Sequence, residues 1–286
     1  MNIILLLVLV AVGFFVIERL WPAGSLPEVK GWWARIALLN LVQVGVVLLA
    51  GYTWDRWFQS ASLFHLSKAW GDVPAALTAY LLSCIIYYWW HRIRHESQFF
   101  WRLCHQLHHS PRRIELLTSF YKHPVEITIN SLLSSAIVYA LLGCSLRAAA
   151  IYTVIIAIAE YFYHWNINTP RWLGWFIQRP ESHRVHHQRA RHTSNYADLP
   201  FIDWLFGTLF NPKKRIIRCG FESEQEQRVP EMLVFRDVDE SPATPPVHGL
   251  QPTCFGCRKR WACAAARREA SKPACDSTEQ NSTPCV

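Results

Sequence analysis

The chain has 286 residues, a net charge of +8 and a hydrophobic fraction of 51%, enough for one domain with a small appendage. Its apolar residues gather in long runs separated by short basic and aromatic stretches, which excludes an ordinary soluble core. The first half offers no polar surface for a basic nucleic-acid-binding domain; no nucleic acid partner is expected, and cationic loops between membrane spans account for the charge.

Five apolar runs follow one another. Residues 2–17, closed by Glu18 and Arg19, read as a first span rather than a cleaved signal, since no basic region precedes them and no small-residue cleavage signature follows. A second run, 36–52, tolerates Asn40 and Gln43. The third, 73–90, would cover about 27 Å as a helix and ends in an interfacial belt, Tyr87-Tyr88-Trp89-Trp90. Runs 125–142 and 148–162 are joined by residues 143–147, a joint so short that it predicts an antiparallel helical hairpin. Helices are required because open strands leave backbone groups unsatisfied in lipid.

Arg92, Arg94, Arg102, Arg112, Arg113 and Lys122 all fall between the third and fourth runs, and the region after the fifth is also basic. That side should be cytoplasmic, with the N-terminus outside, the C-terminus inside and an odd number of crossings. The expected architecture is an all-α integral membrane protein, a helical transmembrane bundle with a cytoplasmic histidine-rich metal-binding cap. Residues 1–72 would form N-terminal spans and a linker, 73–212 the catalytic domain, and 213–286 a largely disordered tail introduced by Pro242, Pro245 and Pro246. Cys254 and Cys257 form a lone pair without a partner pair, a weak zinc signal. Nine cysteines at irregular spacing define no disulfide framework, and Cys84, Cys104 and Cys144 read as small hydrophobes.

Ten of the thirteen histidines are patterned: His91-x3-His95, His105-x2-His108-His109, His123, His164 and His183-x2-His186-His187. Helical spacings of three and four put such residues on one face, so each group is expected to aim its imidazoles at one point. Neutral imidazole suits iron, zinc, copper or nickel, and ten of them exceed the needs of one ion. Two ions, each with four or five nitrogens and an open position, fit the number. His65 and His248 read as interfacial residues; His192 could stand behind a metal site or belong to a basic surface.

These blocks resemble the sterol desaturase/fatty acid hydroxylase superfamily of membrane oxygenases. His91-Arg92-Ile93-Arg94-His95 is similar to its first histidine box. The run from Phe100 to Pro111, containing His105, His108 and His109, is similar to the second, and Pro180-Glu181-Ser182-His183-Arg184-Val185-His186-His187 to the third. His123-Pro124-x-Glu126, His164-x-Asn166, Asn195-Tyr196 and the run Ile202 to Thr208 complete the likeness, with Ala197 and Ile202 departing from the commoner glycine and tryptophan. The resemblance implies that the ten histidines hold two iron ions on the cytoplasmic face, with O2 as co-substrate. Arg184, Asn195 and Asp203 would be candidates for orienting the imidazoles. No cytochrome b5-like domain accompanies the blocks, so a separate electron-donor protein is implied.

The leading expectation is an O2-dependent hydroxylation or desaturation of a membrane lipid, fatty acyl or sterol-like, received directly from the bilayer. Two rivals stand beside it. A zinc-dependent lipid hydrolase would use the same nitrogens to activate water but lacks an HExxH helix, and zinc could occupy the site in a purified sample in any case. A non-catalytic metal-binding or transport protein would need ligands at midplane depth, where Glu160 is the nearest ionisable residue to the centre of a run.

Overall fold

The computed structural model describes residues 3–189 and 193–239; His192, His248, the proline run and the cysteines from Cys254 onward lie outside the described residues. Within them the chain is helical apart from one isolated bridge between Gln188 and Cys219. Helix α1 (Ile3–Leu20) leads to α2 (Trp32–Tyr52), α3 (Trp54–Ser60), α4 (Leu66–Trp70) and α5 (Asp72–Glu96). Next come α6 (Gln98–Phe100), a π-helical turn (Trp101–His105), α7 (Gln106–His109) and a 3-10 turn (Leu116–Phe120). Helix α8 (Pro124–Ser135) continues into a π-helical stretch (Ala136–Leu141), and α9 (Leu146–His164) returns. A 3-10 turn (Arg171–Trp175), α10 (Pro180–His186), α11 (Pro200–Leu205), α12 (Ser223–Glu226) and α13 (Val229–Leu233) complete the fold.

Among the described residues, four stretches are long and apolar enough to cross a membrane: Trp32–Ser60, Asp72–Glu96, Pro124–Leu141 and Leu146–His164. The chain is accordingly a multi-pass membrane protein, with Leu41, Val44, Val47 and Leu48 on α2 and Leu77, Leu81 and Ile85 on α5 facing outward. Helix α1 likewise exposes Leu5, Val8, Leu9 and Val12. Its polar end is fixed elsewhere: the buried Glu18 carboxylate accepts from the backbone amides of Leu116 at 2.9 Å and Asn166 at 2.7 Å, and Arg19 pairs with Glu115. Glu115 also accepts from Trp32 Nε1 at 2.8 Å and Arg113 Nε at 2.6 Å, so one buried carboxylate ties α1, α2 and the 3-10 turn together.

Small residues decide how closely the spans approach. Ala75, Ala76 and Ala79 of α5 are fully buried against Val138, Leu142, Ala148 and Tyr152. The α8–α9 hairpin turns at Gly143, whose φ of 61° is left-handed and whose missing Cβ leaves room for the backbone of His65. The first histidine box sits on the last turns of α5 rather than in a loop, because that helix runs six residues past the apolar run.

The folded body does not stop at Pro212. Phe221, Met232 and Val238 share a buried core with Trp32, Ile36, Trp101, Leu107 and Tyr121, so residues 213–239 are packed onto the second histidine box rather than detached from it. Backbone bonds from Gly220 N to His187 O and from Phe221 N to Ser110 O, both 3.0 Å, fasten this strap to two boxes at once. Arg112 Nε donates to Glu226 at 2.8 Å. Gly220 has φ 72°, and a Cβ there would overlap the Pro111 carbonyl. Gly220→Ala should therefore destabilise the folded chain by about 2 kcal/mol or more, seen as a lower melting temperature in detergent and faster proteolysis within 213–239; an unchanged melting temperature would show that the strap is dispensable.

Candidate metal centre

Among the described residues, nine histidines converge into two groups, all buried except the half-buried His91. His91, His95, His105, His109 and His186 form one, and His108, His164, His183 and His187 the other; within each, the candidate ligand atoms all lie within 4.8 Å of one another. Two nitrogens placed across one ion would stand about 4.2 Å apart, twice a metal–nitrogen bond of roughly 2.1 Å, so each group has the size of a single coordination shell.

The boxes do not each serve one point, as their spacing led us to expect. His105 and His109 enter the first group while His108 enters the second; His183 and His187 enter the second while His186 enters the first. Helical geometry explains the split. Positions i+3 and i+4 lie about 100° apart around the axis, so a helix lying between two sites presents the i, i+4 pair to one and the i+3 residue to the other. His91 and His95, spaced by four, stay together.

The ring orientations match metal ligation. Nδ1 of His91 lies 2.8 Å from Tyr196 O, that of His186 2.9 Å from Ser194 O, that of His164 3.0 Å from Glu160 O and that of His108 3.2 Å from Tyr121 O. A carbonyl oxygen only accepts, so each of these Nδ1 atoms carries the proton and Nε2 is left as a bare lone pair. His105 Nδ1 faces the buried Glu126 carboxylate at 3.2 Å, which Arg94 also engages. Such outer partners fix the tautomer and raise ligand basicity. Pairs of Nε2 atoms then crowd together: His95 with His105 at 3.0 Å, His183 with His164 at 3.0 Å and with His187 at 3.1 Å. His91 Nε2 is likewise buried with no hydrogen-bond partner among the described residues. Bare nitrogens facing one another suit a shared cation, and an all-nitrogen set suits iron or zinc rather than magnesium or calcium. Burial first, then neighbouring imidazoles, holds His108, His109, His183 and His187 well below the ordinary histidine range, so they are neutral and able to ligate at pH 7.

His123 stands apart from both groups. Its Nδ1 accepts from Val125 N at 3.1 Å, capping α8 ahead of Pro124, while Nε2 donates to Leu233 O at 3.3 Å. Among the described residues Arg184 hydrogen-bonds no imidazole; its guanidinium donates to the carbonyls of Ile216 at 2.9 Å and Ile114 at 3.3 Å, joining α10 to the strap. Asp203 acts one step back. It accepts from Tyr196 N at 2.8 Å, Ala197 N at 2.9 Å and Thr208 Oγ1 at 2.7 Å, fixing the loop whose Tyr196 carbonyl holds His91. Burial pushes the Asp203 carboxyl up to about 6, against the three donors that favour its charge. Asn195 donates from Nδ2 to Ser182 O at 2.8 Å and Phe210 O at 2.9 Å, and accepts from Phe210 N at 2.7 Å. Ser194 and Asn195 both have positive φ, 81° and 57°, and this left-handed kink presents the Ser194 carbonyl to His186. Of the groups that hold the rings, Glu126 and Gln178, whose side-chain amide lies 2.7 Å from His183 Nδ1, have a signature in residue type; the four carbonyls have none.

A cavity of about 360 Å³ reaches the centre, lined at its head by His91, His105, His108, His164 and His183. It runs between α8 and α9, with α5 and α2 as further walls, past Val138, Tyr139, Ala149 and Ile156. Its size lies within the usual range for small-molecule sites, about 300–1,000 Å³.

Residues 76–208 match the fatty acid hydroxylase family. Methylsterol monooxygenase 2-2 of Arabidopsis thaliana is 28% identical over 203 residues, covering 68% of this chain and 75% of that protein. Alkylglycerol monooxygenase of Homo sapiens is 29% identical over 172 residues, 58% of this chain but 36% of that protein. A very-long-chain aldehyde decarbonylase of Oryza sativa subsp. indica is 28% identical over 160 residues, 52% of this chain and 25% of that protein. No solved structure matches the chain significantly. Family match and paired histidine groups agree, and the chain belongs to the fatty acid hydroxylase/sterol desaturase superfamily.

Proposed function

We propose that this chain is a membrane-embedded di-iron oxygenase that hydroxylates or desaturates a lipid taken from the bilayer. The observation that carries the reading is the pair of all-histidine groups at the head of a cavity between apolar helices. His91, His95, His105, His109 and His186 would hold one iron, and His108, His164, His183 and His187 the other. When bound, the two ions supply the activation of O2 and the oxidation of an unactivated C–H bond. The chain supplies the rest: the backbone carbonyls and Glu126 keep the rings neutral and aimed, and the cavity excludes water and holds the lipid chain against the centre. Monooxygenase and decarbonylase relatives bear names with different substrates, so the histidine blocks define the oxidant and the cavity defines the substrate.

The arginines of the second-box region favour a cytoplasmic histidine cap with the N-terminus outside. Electrons would come from a separate carrier protein meeting that face.

Purified protein loaded with iron should carry about two ions per chain and, given a reductant and O2, return host lipid with one added oxygen atom or two fewer hydrogen atoms. His108→Ala and His186→Ala should each lower bound metal and abolish that product. A product that forms without O2, or zinc-dependent release of an acid or amine, would point to hydrolysis instead, and metal uptake into sealed vesicles without lipid turnover to a carrier.

Glu126 and His123 make opposite predictions. Glu126→Gln should weaken metal binding or activity by about 10- to 100-fold, as loss of a ligand's outer partner usually does. His123→Ala should keep the metal stoichiometry and lower the melting temperature through loss of the α8 cap, by about 1 kcal/mol. Metal analysis and thermal melts on both variants decide it, and loss of an ion in His123→Ala would make that residue a ligand after all.

A further inference from the structure

Outside the imidazoles, the cavity wall carries six ionisable carboxylate or cationic groups, and five of them are engaged. Lys122 Nζ pairs with Glu160 at 2.7 Å and 2.8 Å, Arg94 with Glu126, and Asp55 accepts from Ser135 Oγ. The deeper hydroxyls also satisfy one another: Tyr152 OH lies 3.0 Å from Ser83 Oγ and 3.2 Å from Ser134 Oγ, and Tyr87 OH donates to Asn130 O at 2.6 Å. Asp198 is the exception. Among the described residues its carboxyl makes no hydrogen bond or ion pair, although it lines the cavity and lies within electrostatic reach of Tyr80, Cys84, Tyr152 and Tyr163.

Its backbone is held between the two histidine groups. The Asp198 carbonyl accepts from Gln178 N at 2.9 Å, and the Gln178 side chain contacts His183 Nδ1 at 2.7 Å. Two residues earlier, Tyr196 O holds His91. A carboxyl that faces a cavity between apolar helices without a protein donor is costly to keep there, and a guest that brings a donor relieves that cost.

We infer that Asp198 receives a hydroxyl group of the substrate, so that the lipid accepted is a hydroxylated amphiphile rather than a plain hydrocarbon chain, and that this contact sets which carbon faces the histidine groups. The inference rests on the lipid-oxygenase reading and names the chemistry of its substrate. Burial and the nearby Glu160 push the Asp198 carboxyl up to about 7, so both of its forms are present at neutral pH. A hydroxyl serves either form, donating to the carboxylate or accepting from the acid, whereas an ammonium serves only the first and would meet the charge of Lys122.

Binding to the full-length, metal-loaded protein in detergent tests this without turnover. The probes are two matched pairs, hexadecanol with hexadecane and cholesterol with cholestane, read by native mass spectrometry and thermal shift. At least one alcohol should bind about tenfold or more tighter than its hydrocarbon partner. Asp198→Ala and Asp198→Leu should bring that ratio to about one with metal content unchanged, and Asp198→Asn, which keeps an acceptor, should retain most of it. Equal binding of alcohol and hydrocarbon by the wild type, no binding of either alcohol, or a preference that survives in Asp198→Ala would overturn the assignment. Oxygen-dependent turnover of host lipid is scored separately: its absence with an intact alcohol preference sinks the oxygenase reading, and its presence without any preference sinks the role of Asp198.

Discussion

Everything in the cap depends on buried imidazoles being held neutral with one defined nitrogen bare. Main-chain carbonyls and one carboxylate enforce this by taking the Nδ1 protons of His91, His105, His108, His164 and His186. Nine such rings without a cation would crowd lone pairs at about hydrogen-bond distance in a medium too dry to separate them. The α9 terminus, the Ser194–Asn195 kink and the loop tied down by Asp203 can all be understood as devices that place an acceptor behind a ring.

Much of this was legible in the residues, and what was not has a physical reason. Residue type and spacing reveal a ligand set, because imidazoles at three- and four-residue intervals in an apolar chain have few other uses. They do not reveal which site a ring joins, since that depends on where the helix axis lies between the two sites. His123 shows the same limit. Its sequence context looks like that of a ligand, yet histidine before proline also makes an N-cap, and the ring's contacts are with Val125 and Leu233. Arginines that read as an orientation signal have structural partners too: Arg92 pairs with Glu96, Arg94 with Glu126 and Arg113 with Glu115. Backbone acceptors were invisible, because every residue carries one.

The strap of residues 213–239 falls beyond the family-matching region, which ends at residue 208. Short helices and scattered apolar residues gave it no periodicity, yet Phe221, Met232 and Val238 close the core over Trp101 and Leu107. The folding unit is thus longer than the segment defined by similarity. A fragment cut at that border would uncover the back of the second histidine box.

The division of each HxxHH box between two sites has a consequence for assembly. Since α7 and α10 each present rings to both positions, an ion held at one site would fix the turn that carries a ligand for its neighbour. A second ion would then meet a partly ordered shell, and the protein would lose less conformational freedom in binding it. Loading should be cooperative, and by linkage each ion should raise the affinity of the other by the same factor. Chelation would then empty the centre in pairs, with little of the singly filled form in between.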